Sequence, residues 1–237
     1  MFDAPGGTRI AYRHATGTGP TVVFLPGYMS DMAGGKACAV MDWARGQGRG
    51  CLLLDYSGCG GSEGNFAEGT LSQWRDEVVA LIEAEVIGPV ILVGSSMGGW
   101  LMLLVAERLG QRVAGLVGIA AAPDFTTWGF GSADKARLAA GETVLEDNSY
   151  GPEPTPTHPG FWVDGQANLR LGRTIALDCP VRLIHGQRDN DVPWRVSIEL
   201  AEALRSDDIQ VTLVKGGDHR LSRAEDIALL LRTLAAL

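Results

Sequence analysis

The chain has no basic patch, no long apolar run and few cysteines, and each shortage removes a class of function. Lys and Arg number 20 against 28 Asp and Glu, for a formal net charge of −8. Such a balance is a poor match to a phosphate backbone, so no nucleic-acid partner is expected. No apolar run approaches the about 20 residues that span a bilayer, so no membrane span is expected. The first residues, Met1 to Gly7, form neither the basic and apolar regions of a secretory signal nor an Arg- and Ser-rich amphipathic leader. On that ground a cytoplasmic location is expected. The four cysteines, Cys38, Cys51, Cys59 and Cys179, show no C-x-x-C spacing. They read as small buried hydrophobes rather than as disulfides or a metal site, and neither a metal nor a cofactor is expected. Cys59, in a Gly-rich turn, is the one to watch for reactivity. No internal repeat or low-complexity segment is present.

What the chain does have is alternation. At 237 residues it can form one domain with a sizeable core. Thr8–Arg13 alternates briefly, and Thr21–Leu25 is a continuous apolar run, as in a strand buried on both faces. A helical stretch follows around Lys36–Arg45, then the apolar run Cys51–Asp55. Leu71, Trp74, Val78, Leu81 and Ile82 recur at helical spacing behind a capping box formed by Thr70 and Gln73. Val90–Val93 predicts a strand, Met97–Leu109 a helix and Val113–Ile119 a strand. The pattern returns at Val181–His185 (strand), Trp194–Arg205 (helix) and Gln210–Val214 (strand). A last helix opens with a second capping box, Ser222 and Glu225. Strands alternating with helices predict an α/β fold: a mostly parallel central sheet with helices on both faces, residues 1–237 forming a single domain.

Between Pro123 and Asp178 the regularity fails. The stretch is proline-rich and holds Phe125, Trp128, Phe130, Phe161 and Trp162. A structureless loop of that size is improbable in a compact domain, so residues 123–178 read as a small cap or lid inserted before the last two strands. Its aromatics suit an acyl chain, or else pack the cap onto the core.

The densest signal is Gly94-Ser95-Ser96-Met97-Gly98, which ends one predicted strand and opens a helix. This is G-x-S-x-G in the strand–turn–helix setting that a nucleophilic serine needs, and it marks Ser96. A serine hydroxyl needs a base and an orienting acid to attack at neutral pH. Of four histidines, His219 lies in a loop between the last strand and the last helix, at the carboxyl edge of the sheet, where such folds bind ligands. His185 ends a strand before a glycine and reads as a buried turn residue. His14 is in the N-terminal section and His158 in the cap. The chain order Ser…Asp…His places the acid after a strand, in His185-Gly-Gln-Arg-Asp189-Asn-Asp191-Val-Pro. Asp189 is favoured over Asp191, which would otherwise cap the next helix. Asp124 is a further acid by position, with a turn at the cap entry as its better role. Two N–H groups should meet the developing oxyanion: Met97, and Tyr28 in the loop Pro26-Gly27-Tyr28-Met29. The Gly-rich turn Asp55 to Ser62 opens no helix and has no P-loop lysine, so support of the serine elbow suits it better than phosphate binding.

With these residues in place, the chain resembles the α/β-hydrolases. Within them it is similar to the acyl-protein thioesterases that also cleave acyl glucuronides, a group with mitochondrial members in animals and bacterial relatives. The segments that carry the resemblance are Phe24 to Ser30, Asp55 to Ser62, Gly94 to Leu103, His185 to Trp194, and Asp218-His219-Arg220. They span nearly the whole chain except the cap. The resemblance implies a triad of Ser96, Asp189 and His219. It also implies carboxylesterase or acyl-thioesterase activity on small-molecule esters and thioesters or on S-acylated protein. C–C bond hydrolysis, perhydrolysis and non-catalytic ligand binding are the alternatives that the same fold allows.

Overall fold

The structure is a computed structural model that describes residues 1–148 and 151–237. Its strands are β1 (Phe2–Asp3), β2 (Arg9–Ile10), β3 (Tyr12–Ala15), β4 (Thr18–Leu25), β5 (Arg49–Leu54), β6 (Val90–Ser95), β7 (Val113–Ile119), β8 (Val144–Glu146), β9 (Thr155–Thr157), β10 (Val181–Gly186) and β11 (Ile209–Val214). Its helices are α1 (Gly35–Gly46), α2 (Leu71–Glu85), α3 (Met97–Leu109), α4 (Phe125–Trp128), α5 (Ser132–Ala139), α6 (Pro159–Ala167), α7 (Arg195–Ala203) and α8 (Ala224–Ala235). Seven strands make the central sheet in the order β11-β10-β7-β6-β4-β5-β3. Only β3 runs antiparallel to its neighbour. The predicted α/β fold, a mostly parallel sheet covered on both faces, is the one found.

The continuous apolar runs divide by the period-two rule of a strand. In β4, Val23 and Leu25 join one core cluster, which α2, α3 and α7 cover through Trp74, Leu101 and Leu200. Val22 and Phe24 join the other, covered by α1 and α8 through Val40, Met41, Leu230 and Leu234. Every one of these side chains is buried, and each aliphatic one contributes about 1.5–3 kcal/mol on transfer from water. The strand order reverses between β4 and β6, so the helices after these two strands leave to opposite faces. That leaves a crevice at their carboxyl ends.

Two helix starts differ from the sequence expectation. Thr70 does cap α2, its hydroxyl accepting from Gln73 N–H at 3.2 Å. The Gln73 side chain, however, donates to Ser57 and Glu77 rather than returning to Thr70. The last helix starts at Ala224, and in place of the box expected of Ser222 and Glu225 the Asp226 carboxylate accepts from Arg223 N–H at 3.2 Å and from its guanidinium at 2.8 and 2.7 Å. An arginine–carboxylate fork at this position binds more strongly than a hydroxyl and a free Glu. The run Thr8–Arg13 splits at Ala11 into β2, paired with β1, and β3 at the sheet edge.

Among the described residues between β7 and β10 are three short helices and the β8–β9 ribbon. This stretch is pinned to the body by polar contacts. Asp164 accepts from Ser72 N–H and Oγ–H at 2.8 and 2.7 Å, setting a carboxylate at the positive end of α2. Arg170 pairs with Glu107 of α3 at 2.9 Å. The Asp124 carboxylate, where the stretch begins, accepts from Arg170 and Leu171 N–H at 2.7–2.9 Å. Asp124 thus has the turn role expected of it, reached by closing the stretch onto its own start.

Candidate functional site

Ser96 stands between β6 and α3 with φ 55 and ψ −123. A non-glycine residue in that region carries about 1–3 kcal/mol of strain. The strain is held by three bonds: Ser96 N–H donates to Ile119 C=O at 2.9 Å, and Ser96 C=O accepts from Gly99 and Ala122 N–H at 2.8 and 3.0 Å. The elbow is so tight that no side chain fits two residues to either side of Ser96. A Cβ on Gly94 would lie 2.4 Å from Gly98 O, and one on Gly98 would lie 2.2 Å from Leu25 O.

His219 is carried by the loop after β11. There Asp218 accepts from Leu221 N–H at 2.9 Å and folds the loop back. The imidazole Nε2 lies 3.0 Å from Ser96 Oγ, and Nδ1 lies 2.8 Å from Asp189 Oδ2. Serine and histidine are 123 positions apart in the chain. Asp189 follows β10 and its side chain is wholly buried. Oδ1 accepts from the N–H groups of Asp191 and Val192 at 2.9 and 2.8 Å. Burial works to raise the pKa of this carboxyl. Donation from His185 and His219 and the charge of His219 outweigh it, and hold Asp189 well below the usual carboxylate range.

Asp191, the competing acid, is exposed and stands beside the pair rather than between His219 and a buried anchor. Helix α7 begins at Arg195, and its N-cap residue, Trp194, makes no side-chain capping bond. Asp189, Asp191 and His219 bring ligand-type atoms within 4.8 Å of one another, and are the residues that could hold a metal. The Asp189 oxygens and both His219 nitrogens are already engaged with protein partners.

The loop after β4 lies against the serine: a Cβ built on Gly27 would be 3.3 Å from Ser96 Cβ. The buried Tyr56 hydroxyl donates to Pro26 C=O at 2.9 Å and steadies this loop. The Gly-rich turn beneath it is organised by Asp55, which accepts from Met32 and Gly61 N–H at 2.7 and 2.8 Å. It supports the loops of the site, as expected. Cys59 departs from expectation. It is buried, and burial first, then Asp55, Glu77 and Asp31, push its thiol up to about 12, so it is an inert thiol at neutral pH. All four cysteines are free.

Ser96, Met97, Tyr28 and His219 open on one cavity of about 720 Å³. Phe125, Trp128, Phe130, Lys36 and Arg220 are among its lining residues. Burial lowers the Lys36 ammonium to about 8. Its Nζ donates to the Arg220 carbonyl. The Tyr28 ring packs on Phe66, Phe125 and Phe161 at centroid distances of 5.0, 6.2 and 4.9 Å. Its hydroxyl donates to Pro156 C=O at 3.0 Å.

Of the remaining histidines, His14 lies 3.6 Å from Glu85, and His158 contacts Thr143 Oγ1 at 3.0 Å in the inserted stretch. His185 is wholly buried, as expected. Its place beside Asp189, 3.0 Å from Oδ2, was not legible as function. The four-residue spacing to Asp189 on one strand-to-loop turn is the signal that could have found it.

Residues 22–230 match the family described as Alpha/beta hydrolase family. A curated relative, palmitoyl-protein thioesterase ABHD10, mitochondrial, of Homo sapiens, is 36% identical over 238 residues, covering 99% of this chain and 78% of the relative. Its Mus musculus counterpart is 39% identical over 235 residues, covering 95% and 77%. Among solved structures, a putative hydrolase from Agrobacterium vitis S4 superposes with a TM-score of 0.92 at 39% identity, covering 97% of this chain and 93% of that one. The cytoplasmic location expected above is corrected by these relatives, which are designated mitochondrial. A leader is a removable segment outside the fold, so N-terminal composition is a poor guide to destination. Among the described residues, no helix is long and apolar enough to cross a membrane.

Proposed function

The chain belongs to the alpha/beta hydrolase family, and we propose that it hydrolyses esters or thioesters through an acyl-enzyme on Ser96. The observation that carries the reading is the unbroken line from Ser96 Oγ to His219 Nε2 at 3.0 Å and from His219 Nδ1 to Asp189 Oδ2 at 2.8 Å. His219 takes the hydroxyl proton as Ser96 attacks the carbonyl carbon. Asp189, kept ionised by its donors, stabilises the imidazolium and holds the tautomer with its free lone pair on the serine. Negative charge gathers on the carbonyl oxygen and meets the Tyr28 and Met97 N–H groups. As a first-turn residue of α3, Met97 has no acceptor for its N–H within the helix. His219 returns the proton to the leaving alcohol or thiol. Water, activated the same way, then frees the acyl group and restores Ser96.

In this reading, residues 123–178 act as the cap over the serine, and Phe125, Trp128 and Phe130 receive the acyl group. The substrate class is an acylated small molecule or an S-acylated protein. The named activity of the curated relatives, palmitoyl-protein thioesterase, supports the thioester side. The test pairs fluorophosphonate labelling with hydrolysis of nitrophenyl esters and acyl thioesters of graded chain length. Labelling confined to Ser96 and turnover of acyl substrates are expected. Intact protein that fails to label at Ser96 would overturn the reading.

A further inference from the structure

Asp189 is held by more than the imidazole it orients. His185, the penultimate residue of β10, has no exposed side-chain surface. Its Nε2 faces two acceptors, Asp189 Oδ2 at 3.0 Å and Val192 C=O at 3.1 Å. A carbonyl oxygen has no proton to give, so Nε2 carries one and donates. On the other side of the ring, Nδ1 lies 2.7 Å from Ser197 Oγ of α7. A hydroxyl donating to Nδ1 leaves the ring proton on Nε2, where the carboxylate needs it. The four donors of Asp189 are then complete: Asp191 and Val192 N–H on Oδ1, His185 and His219 on Oδ2.

We propose that Ser197 and His185 are positioning residues for the catalytic acid, lengthening the relay to Ser197–His185–Asp189–His219–Ser96. This rests on the serine-hydrolase reading above. The pair acts in two ways. It fixes the rotamer that places Oδ2 under His219 Nδ1, because a buried carboxylate with an empty lone pair would turn to fill it. It also stabilises the ionised carboxylate, since a donor to the charged form favours that form. The groups facing this chain come from several elements. Ser197 and Asp189 face His185. Asp189 and Asp191, in the loop after β10, face His219, as does Ser96 at the start of α3. Asp218 and Arg220 flank His219 in its own loop, and Lys36 reaches that loop from α1.

His185→Ala, His185→Gln and Ser197→Ala test this, with kcat, KM and the pH profile of kcat/KM measured on nitrophenyl butyrate. Loss of the imidazole is expected to lower kcat about 10–100-fold, as for outer partners of ligand residues, with KM within about twofold. With a donor gone, the carboxylate directs more of its charge at His219 and favours the imidazolium, so the acid limb of the profile, which follows protonation of the base, moves to higher pH. Gln, which can place an N–H near the same oxygen, should recover part of the rate and return the limb toward wild type. Ser197→Ala should move both in the direction of His185→Ala, by less. Folded His185→Ala with unchanged kcat overturns the proposal. So does a rate loss with an unmoved limb and no recovery by Gln, which is what a packing role alone would produce. If His185→Ala does not fold, Ser197→Ala decides by the same criteria. Nitrogen-15 shifts of His185 in the wild-type protein give a readout apart from activity: a proton on Nε2 and none on Nδ1 supports the pair, and the reverse overturns it. Inert, unlabelled wild-type protein would sink the hydrolase reading, whereas active wild type with unaltered variants sinks only this inference.

Discussion

At the scale of residues, the site asks different things of Ser96, Asp189 and His219, and their variants should differ accordingly. Ser96→Ala is expected to abolish fluorophosphonate labelling outright, since it removes the oxygen proposed to attack. Asp189→Asn keeps the shape but presents an amide that can donate toward His219, favouring the wrong tautomer. A fall in kcat of about 10⁴ is expected by analogy with triads of this type, read by steady-state kinetics with circular dichroism as the folding control. The pairing of Ser96 with His219 was legible in the chain because the elbow is a local motif and few histidines compete. The choice of Asp189 over Asp191 rested on spacing, and the tertiary structure gives its physical ground: Asp189 is buried among four donors, while Asp191 is exposed. The inertness of Cys59 was not legible, because a Gly-rich turn looks open in sequence while Cys59 itself is buried within it, with Asp55 and Glu77 nearby.

At the scale of elements, Thr70 and Gly98 mark how tightly helix starts are specified. Thr70→Ala removes the N-cap hydroxyl that accepts from Gln73 N–H, leaving Asp164 on Ser72 N–H, and should cost about 1 kcal/mol, measured by urea unfolding. Gly98→Ala is a different case. Its new Cβ would overlap Leu25 O and Pro26 O, at 2.2 and 2.4 Å. Backbone must therefore move on both the elbow and the loop that carries Tyr28. We expect a lower melting temperature together with slower labelling of Ser96, even at temperatures where the variant is fully folded. The core strands and the long helices were readable because one period governs each. The bounds of α3 and β7 are those the apolar pattern predicts. The start of the last helix was misread, because Ser-x-x-Glu fits the capping rule while the helix begins one residue later, where Arg223 donates to Asp226 instead.

At the scale of the whole molecule, electrostatics tie the site and the inserted stretch to stability. The folded pKa of Asp189 lies below its unfolded value. Its contribution is therefore full above the unfolded pKa and is lost as pH falls through the folded one. The stability gap between wild type and Asp189→Asn should thus be wide at neutral pH and shrink below about pH 4, seen in urea titrations at the two pH values. Arg170 joins the inserted stretch to α3 through Glu107, with only 9% of its own side chain exposed. Arg170→Ala should cost about 1–2 kcal/mol, since Glu107, 29% exposed, stays solvated when its partner is removed, measured by urea unfolding. The sequence by itself determined the parallel sheet, the two buried faces of its strands and the serine elbow, because these follow from periodicity and from steric rules acting over a few residues. Only the tertiary structure decided which acid receives His219, that His185 and Ser197 stand behind it, and how residues 123–178 fold back through Asp124, Asp164 and Arg170. Those choices depend on contacts between segments tens of residues apart, where burial and hydrogen-bond saturation select among side chains that local pattern leaves equivalent.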